Sequence, residues 1–190
     1  MIILGIDEAG RGPLSGPVVV AGVILNPDEP IDGLGDSKKL SEKKRHILYH
    51  EIIAKAKAYS IVEISPAEID KLNILQATLT GMKRVADNLK GQFDKVLVDG
   101  NKLPKWNYTS EAIVKGDSKV QEISAGSILA KVYRDNICLL HDTIYPEYGF
   151  ARHKGYPTKE HLANIKKFGI IDIYRKSYKP IFELLEKNKL

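Results

Sequence analysis

Residues 2–17 read I-I-L-G-I-D-E-A-G-R-G-P-L-S-G-P, and no other stretch limits the possible folds so sharply. Ile2, Ile3, Leu4 and Ile6 form a short apolar run of the kind that fills a strand buried on both faces. The run stops at two adjacent carboxylates, Asp7 and Glu8, before Gly10, Gly12 and Gly16 punctuate a turn that holds Arg11 and Pro13. Val18, Val19, Val20, Ala21, Val23, Ile24 and Leu25 then read as the returning strand of a hairpin. Neighbouring side chains on a strand point to opposite faces, so Asp7 and Glu8 would not ordinarily share a site. At a strand end that opens into a glycine-rich turn, both can reach one metal cluster, and glycine lets backbone approach a ligand closely. An isolated Asp-Glu pair is better read as a polar strand end. Here the pair lies between a buried strand and a glycine-arginine-glycine loop, and that context favours a functional role.

The rest of the chain alternates helices and short strands. Residues 26–40 form a loop rich in Pro, Gly and Asp that ends G-D-S-K-K-L, and Ser41 caps a helix over about 42–58. A strand follows over 59–64, then a short helix led by Ser65 and Pro66. The spacing of Leu75, Leu79, Met82, Val85, Ala86 and Leu89 predicts an amphipathic helix over 73–89. Strands are expected over 94–98 and 112–114, a long helix over 123–144, a loop over 145–157, and helices over 158–168 and 180–188. This order implies an α/β fold with a mixed sheet, an antiparallel hairpin joined to parallel strands. At 190 residues the chain needs only one core, so residues 1–190 are expected to form one domain with a helical C-terminal extension from about 145.

Acidic residues stand at three strand ends: Asp7 with Glu8, Asp99 in V-D-G-N, and Asp117 in K-G-D-S-K. In open α/β sheets, active sites gather at the C-terminal ends of parallel strands. Four carboxylates with no obligatory His or Cys make an all-oxygen site, suited to Mg²⁺ or Mn²⁺ and poor for zinc. Without cations the clustered charges would raise one another's pKa values. Two divalent ions ~3.5–4 Å apart suit in-line phosphoryl displacement, so phosphodiester hydrolysis is the reaction this ligand set fits best. Arg11, Lys38, Lys39, Lys115, Lys119 and Lys154 lie in loops expected around the same face, although any one of them is equally a solvated surface lysine or arginine. Tyr156, in the basic loop R-H-K-G-Y-P-T, is placed to stack on a base or sugar, unless it packs under its loop. His153 is the one histidine near this group; His46, His50, His141 and His161 read as surface or packing residues. The formal net charge of +5 suits a polyanionic partner.

Taken in order, D-E-A-G-R-G-P-L-S-G-P, D-S-K-K-L, L-V-D-G-N, K-G-D-S-K, E-I-S-A-G-S-I-L-A-K-V-Y-R-D and Y-G-F-A-R-H-K-G-Y-P-T resemble the bacterial ribonuclease HII family. The likeness runs from Ile6 to about His161, with a compatible tail Y-R-K-S-Y-K-P-I at residues 174–181. It implies a ribonuclease H-like mixed sheet flanked by helices, and a four-carboxylate site on Asp7, Glu8, Asp99 and Asp117 that serves both catalysis and metal binding. It also implies substrate binding by Gly10, Arg11 and Gly12, which read the ribonucleotide 2′-hydroxyl, and by Tyr156, which stacks; Lys38 and Lys39 join them as candidate substrate-binding residues. The implied activity is hydrolysis of RNA within RNA–DNA hybrids and 5′ of single ribonucleotides embedded in duplex DNA, leaving 3′-hydroxyl and 5′-phosphate ends with two ions per site. Gly126 departs from the family, which more often has alanine there. A helix glycine costs up to ~1 kcal/mol relative to alanine. Asp135 in Y-R-D is regular in the family and reads as structural or as support for the site.

No apolar stretch approaches the ~20 residues that span a bilayer, and the N-terminus lacks the basic start and cleavage site of a signal peptide. Cys138 is the only cysteine, so no internal disulfide can form, and a cytoplasmic location is expected. A monomer is the default expectation. Two other readings compete: another two-metal nuclease or strand-transfer enzyme of the same fold, and a non-catalytic hybrid-binding protein. Four intact acids argue against the second, because carboxylates facing phosphates weaken binding unless metals intervene.

Overall fold

The computed structural model describes residues 1–189. Five strands form one sheet in the order β3-β2-β1-β4-β5: β1 Ile3–Ala9, β2 Val18–Ile24, β3 Ala58–Ile64, β4 Lys95–Asp99 and β5 Ser110–Ile113. The hairpin is present, with β1 antiparallel to β2 and β2 antiparallel to β3, whereas β1, β4 and β5 run parallel. Every residue of β2 is buried, as its unbroken apolar run requires.

Strand alternation sorts β1 between two layers. Leu4 and Ile6 turn toward helix α3 (Ile74–Asn88) and pack with Val20, Met82, Val85, Val96 and Val98. On the other face Val19, Ala21 and Val23 meet helix α1 (Glu42–Lys55) and the long helix α4 (Gln121–Ile144). Helix α4 sits very close to β1: a Cβ built on Gly5 would fall 2.2 Å from the Glu122 carbonyl carbon, and one on Gly126 would fall 2.9 Å from the Ala21 oxygen. Real side chains do not tolerate such distances, so these two glycines set the spacing that brings Ser127 down beside Asp7.

Ser41 caps α1, Ser65 caps α2 (Pro66–Leu72) with Glu68 completing a capping box, and Thr158 caps α6 (Lys159–Phe168). Several boundaries differ from the sequence reading: α1 stops at Lys55, short of 58, α4 starts at Gln121, ahead of 123, and β5 starts at Ser110, ahead of 112. Residues 145–157 are not all loop, because Phe150–His153 forms a single turn, α5, that buries Phe150 and His153. β5 ends at Ile113, one residue before the expected end, since Val114 is apolar yet 58% exposed.

The C-terminal part has a core of its own, made of Leu14, Tyr148, Phe150, Ile165, Tyr174 and Ile181, with α7 (Lys179–Lys187) as its last helix. This core is fastened to the turn after β1 by backbone bonds: the Leu14 amide donates to the Gly155 oxygen, the Gly16 amide to Ile173, and the Arg175 amide to Leu14. No helix among the described residues is long and apolar enough to cross a membrane.

Candidate active site

The three parallel strands deliver the acids to one end of the sheet. Asp7 and Glu8 lie near the end of β1 and Asp99 is the last residue of β4. Asp117 sits in a 3₁₀ turn, Gly116–Ser118, that follows β5. Lys115, in the left-handed region at φ 56°, leads into that turn, and the Asp99 Oδ1 accepts the Gly116 amide at 2.6 Å and the Asp117 amide at 3.3 Å. One carboxylate oxygen thereby fixes the loop that carries another. Asp7 Oδ1 accepts the Glu8 amide at 2.7 Å.

These four acids line a single cleft with Gly10, Arg11, Gly12, Lys38 and Tyr156. Lys39, by contrast, is exposed and does not line it. Lys115, Lys119 and Lys154 are also outside the lining; the Lys119 ammonium donates to the Val114 oxygen, and the Lys154 oxygen accepts from Arg134. His153 lies buried beneath the Tyr156 loop, bonded to the Tyr148 oxygen and the Gly155 amide and stacked on His161, so it is a packing residue.

Burial pushes the Asp7 carboxyl well above the usual range, and the nearby Glu8 and Asp99 charges push further. The Glu8 amide and the Ser127 hydroxyl oppose this without cancelling it. Burial also raises Glu8, against the pull of Arg11, whose Nη1 stands 3.6 Å from Glu8 Oε1. Asp117 is raised by burial and then by Asp99 and Asp36, with Lys38 opposing. The site therefore concentrates more negative charge than its own cations neutralise.

Divalent ions fit this deficit. Glu8 Oε2 is buried and has no hydrogen-bond partner among the described residues, which is costly for an oxygen meant to stay as it is. The remaining donors are carboxylate oxygens, the set that hard cations take. Among the described residues no three His, Cys, Asp or Glu groups stand close enough to share one ion as they are: Glu8 leans to Arg11, and Asp99 is engaged by two amides.

Gly10 has φ +92°, and a Cβ there would fall 2.0 Å from Arg134 Nε. Gly12 is limited differently, since its Cβ would meet the Tyr156 ring at 3.2 Å. Tyr156 is 44% exposed and leans over the glycine-arginine-glycine loop, so the packing alternative for its ring does not hold. Sequence reasoning missed Ser37, Ser127, Lys131 and Arg134, which also line the cleft. The last three stand at i, i+4 and i+7 of α4, a helical stripe visible in S-I-L-A-K-V-Y-R. Asp135 pairs with Lys131 at 3.0 Å and supports that stripe from the same helix.

The family model described as Ribonuclease HII matches residues 4–183. A Ribonuclease HII of Francisella philomiragia is 77% identical over 97% of this chain and all of its own length. One from Francisella tularensis subsp. tularensis is 75% identical over 98% of this chain and again all of its own length. Among solved structures, ribonuclease H2 from Pyrococcus horikoshii superposes with a TM-score of 0.79 at 26% identity, covering 100% of this chain and 99% of its own. The RNase HII of Archaeoglobus fulgidus, solved in a complex with PCNA, gives 0.81 at 25% identity over 94% of this chain and 96% of its own. The Mn²⁺ complex of Bst-RNase HIII, 13% identical, shares the fold with a TM-score of 0.72 over 100% of this chain and 70% of its own.

Proposed function

This chain belongs to the ribonuclease HII family, and from that membership we propose that it cuts 5′ of single ribonucleotides in duplex DNA as well as within longer RNA–DNA hybrids. The observation that carries the reading is the convergence of Asp7, Glu8, Asp99 and Asp117 on one cleft with the Gly10–Gly12 loop and Tyr156. Asp7, Glu8, Asp99 and Asp117 would hold two Mg²⁺ or Mn²⁺ ions. Such ions, when bound, activate a water and stabilise the leaving oxygen of an in-line phosphoryl displacement, giving 3′-hydroxyl and 5′-phosphate ends.

The remaining work falls to the chain's own residues. Arg11 stands 3.6 Å from Glu8 Oε1, and if Glu8 served as a metal ligand the guanidinium would be free to hold a substrate phosphate. Lys38 and Lys131 add positive charge along the walls of the cleft. Tyr156 stacks on the nucleotide beside the cut, and the Gly10–Gly12 loop meets the sugar edge where no side chain stands in the way. A site arranged to bond a hydroxyl rejects the analogue lacking it, because its own polar groups are left unpaired.

The test uses two duplexes that differ by one 2′-hydroxyl, each with and without Mg²⁺. Cleavage of the ribonucleotide duplex alone, on the 5′ side and only with the ion, is the expected result. Equal cutting of both would point to a general two-metal nuclease, and binding without cutting would point to a hybrid-binding protein.

A further inference from the structure

Arg175 is fully buried, among the largest side chains in the core, and it has no carboxylate partner among the described residues. A buried guanidinium is costly unless its donors are matched. Its matches are nearly all carbonyl oxygens of one loop: Nε donates to Gly16 at 3.0 Å, Nη1 to Arg11 at 3.0 Å, and Nη2 to Gly10 at 2.6 Å. Nη1 also donates to the Tyr178 hydroxyl at 3.0 Å, and that hydroxyl in turn donates to the Arg11 oxygen. The brace is itself anchored, since Asp70 of α2 accepts the Lys176 and Ser177 amides at 3.0 and 2.8 Å.

Peptide geometry turns this into a statement about the cleft. In a trans peptide the C=O and the following N–H point in opposite directions, and the described residues contain no cis bond. Drawing the Gly10 oxygen inward therefore turns the Arg11 N–H outward, and drawing the Arg11 oxygen inward does the same to the Gly12 N–H. Neither amide donates to another protein group among the described residues, and both residues line the cleft. We propose that Arg175 and Tyr178 are positioning residues for ribonucleotide recognition: by holding two carbonyls from behind, they aim the Arg11 and Gly12 amides at the 2′-oxygen. This rests on the reading of the Gly10–Gly12 loop given above.

The test separates aim from mere stapling. Two duplexes are compared by kcat/KM, alike except that one nucleotide carries a 2′-hydroxyl or a 2′-fluorine. The wild-type protein is expected to prefer the hydroxyl strongly. Tyr178→Phe, which removes one hydroxyl and keeps the ring, should leave the melting temperature within a few degrees while narrowing the preference about ten-fold. Arg175→Lys keeps the charge and loses the planar fork, so a folded form should narrow it further. If that variant does not fold, Tyr178→Phe decides alone. A folded Tyr178→Phe that slows both substrates equally, with the ratio unchanged, overturns the inference. A wild-type protein indifferent to the two substrates would sink the loop reading itself, and this inference with it.

Discussion

Asp7 is held in a state that its own surroundings oppose. Its folded carboxyl loses a proton less readily than the same group in the unfolded chain. In metal-free protein its ionisation therefore costs stability, increasingly so as pH rises from the ordinary 3.8 through the raised folded value. Asp7→Asn keeps an oxygen for the Glu8 amide and removes the charge. We expect its melting temperature in chelator at pH 7 to equal or exceed that of the wild type, while hydrolysis falls by orders of magnitude. A lower melting temperature would show that Asp7 serves the fold. Tyr156→Ala should lose ~1–3 kcal/mol of transition-state binding with little change in melting, because the ring is half outside the core. Gly12→Ala presses on that same ring, so the two substitutions should combine less than additively in kcat/KM. The acids and Tyr156 were legible in the sequence because each follows an apolar run or stands in a glycine-bearing loop. Lys131 and Arg134 were not, since a cation within a helical pattern looks the same whether it faces solvent or a cleft.

At the scale of the element, α4 shows how a local rule yields to packing. Helix propensity says that Gly126→Ala should stabilise by up to ~1 kcal/mol. The methyl would fall 2.9 Å from the Ala21 oxygen, 3.3 Å from the Gly5 oxygen and 3.4 Å from the Asp7 amide. These are backbone atoms and cannot swing aside, so the helix must lift. The expected result is destabilisation of ~1–3 kcal/mol by urea unfolding, with slower hydrolysis as Ser127 and Lys131 retreat. A gain in stability would show that the sheet yields easily. Long elements such as α3 and α4 were readable from their periodicity. The turn α5 was missed because four residues are too few to show a 3.6-residue repeat, and β5 was set late because Val114 is apolar but exposed.

Across the whole molecule, the C-terminal core depends on two uncharged imidazoles. The Tyr156 carbonyl can only accept, so His161 carries its proton on Nδ1 and receives the Tyr174 hydroxyl on Nε2. His153, stacked on it at 3.9 Å, is neutral in the opposite tautomer, donating from Nε2 to Tyr148 and accepting the Gly155 amide on Nδ1. Burial brings His161 down to about 4 and lowers His153 as well. The unfolded chain then binds more protons between pH 6.5 and 4, so this stability is complete above 6.5 and is lost as pH falls toward 4. For His161 it amounts to ~3 kcal/mol. Urea unfolding at pH 7 and pH 5 should show the loss, and His161→Gln should flatten the slope; an unchanged slope in that variant would place the titration elsewhere. No sequence pattern disclosed that residues 173–178 return to the turn after β1, because pairing across such a distance leaves no local period. That return also sets an order in time. Gly10 and Arg175 are bonded across 165 residues, and at ~5–20 residues per second the ribosome makes the first roughly 8–33 s before the second. The loop that would read the ribose is thus made well before the residues that brace it, so a nascent chain carries that loop long before it can aim its amides.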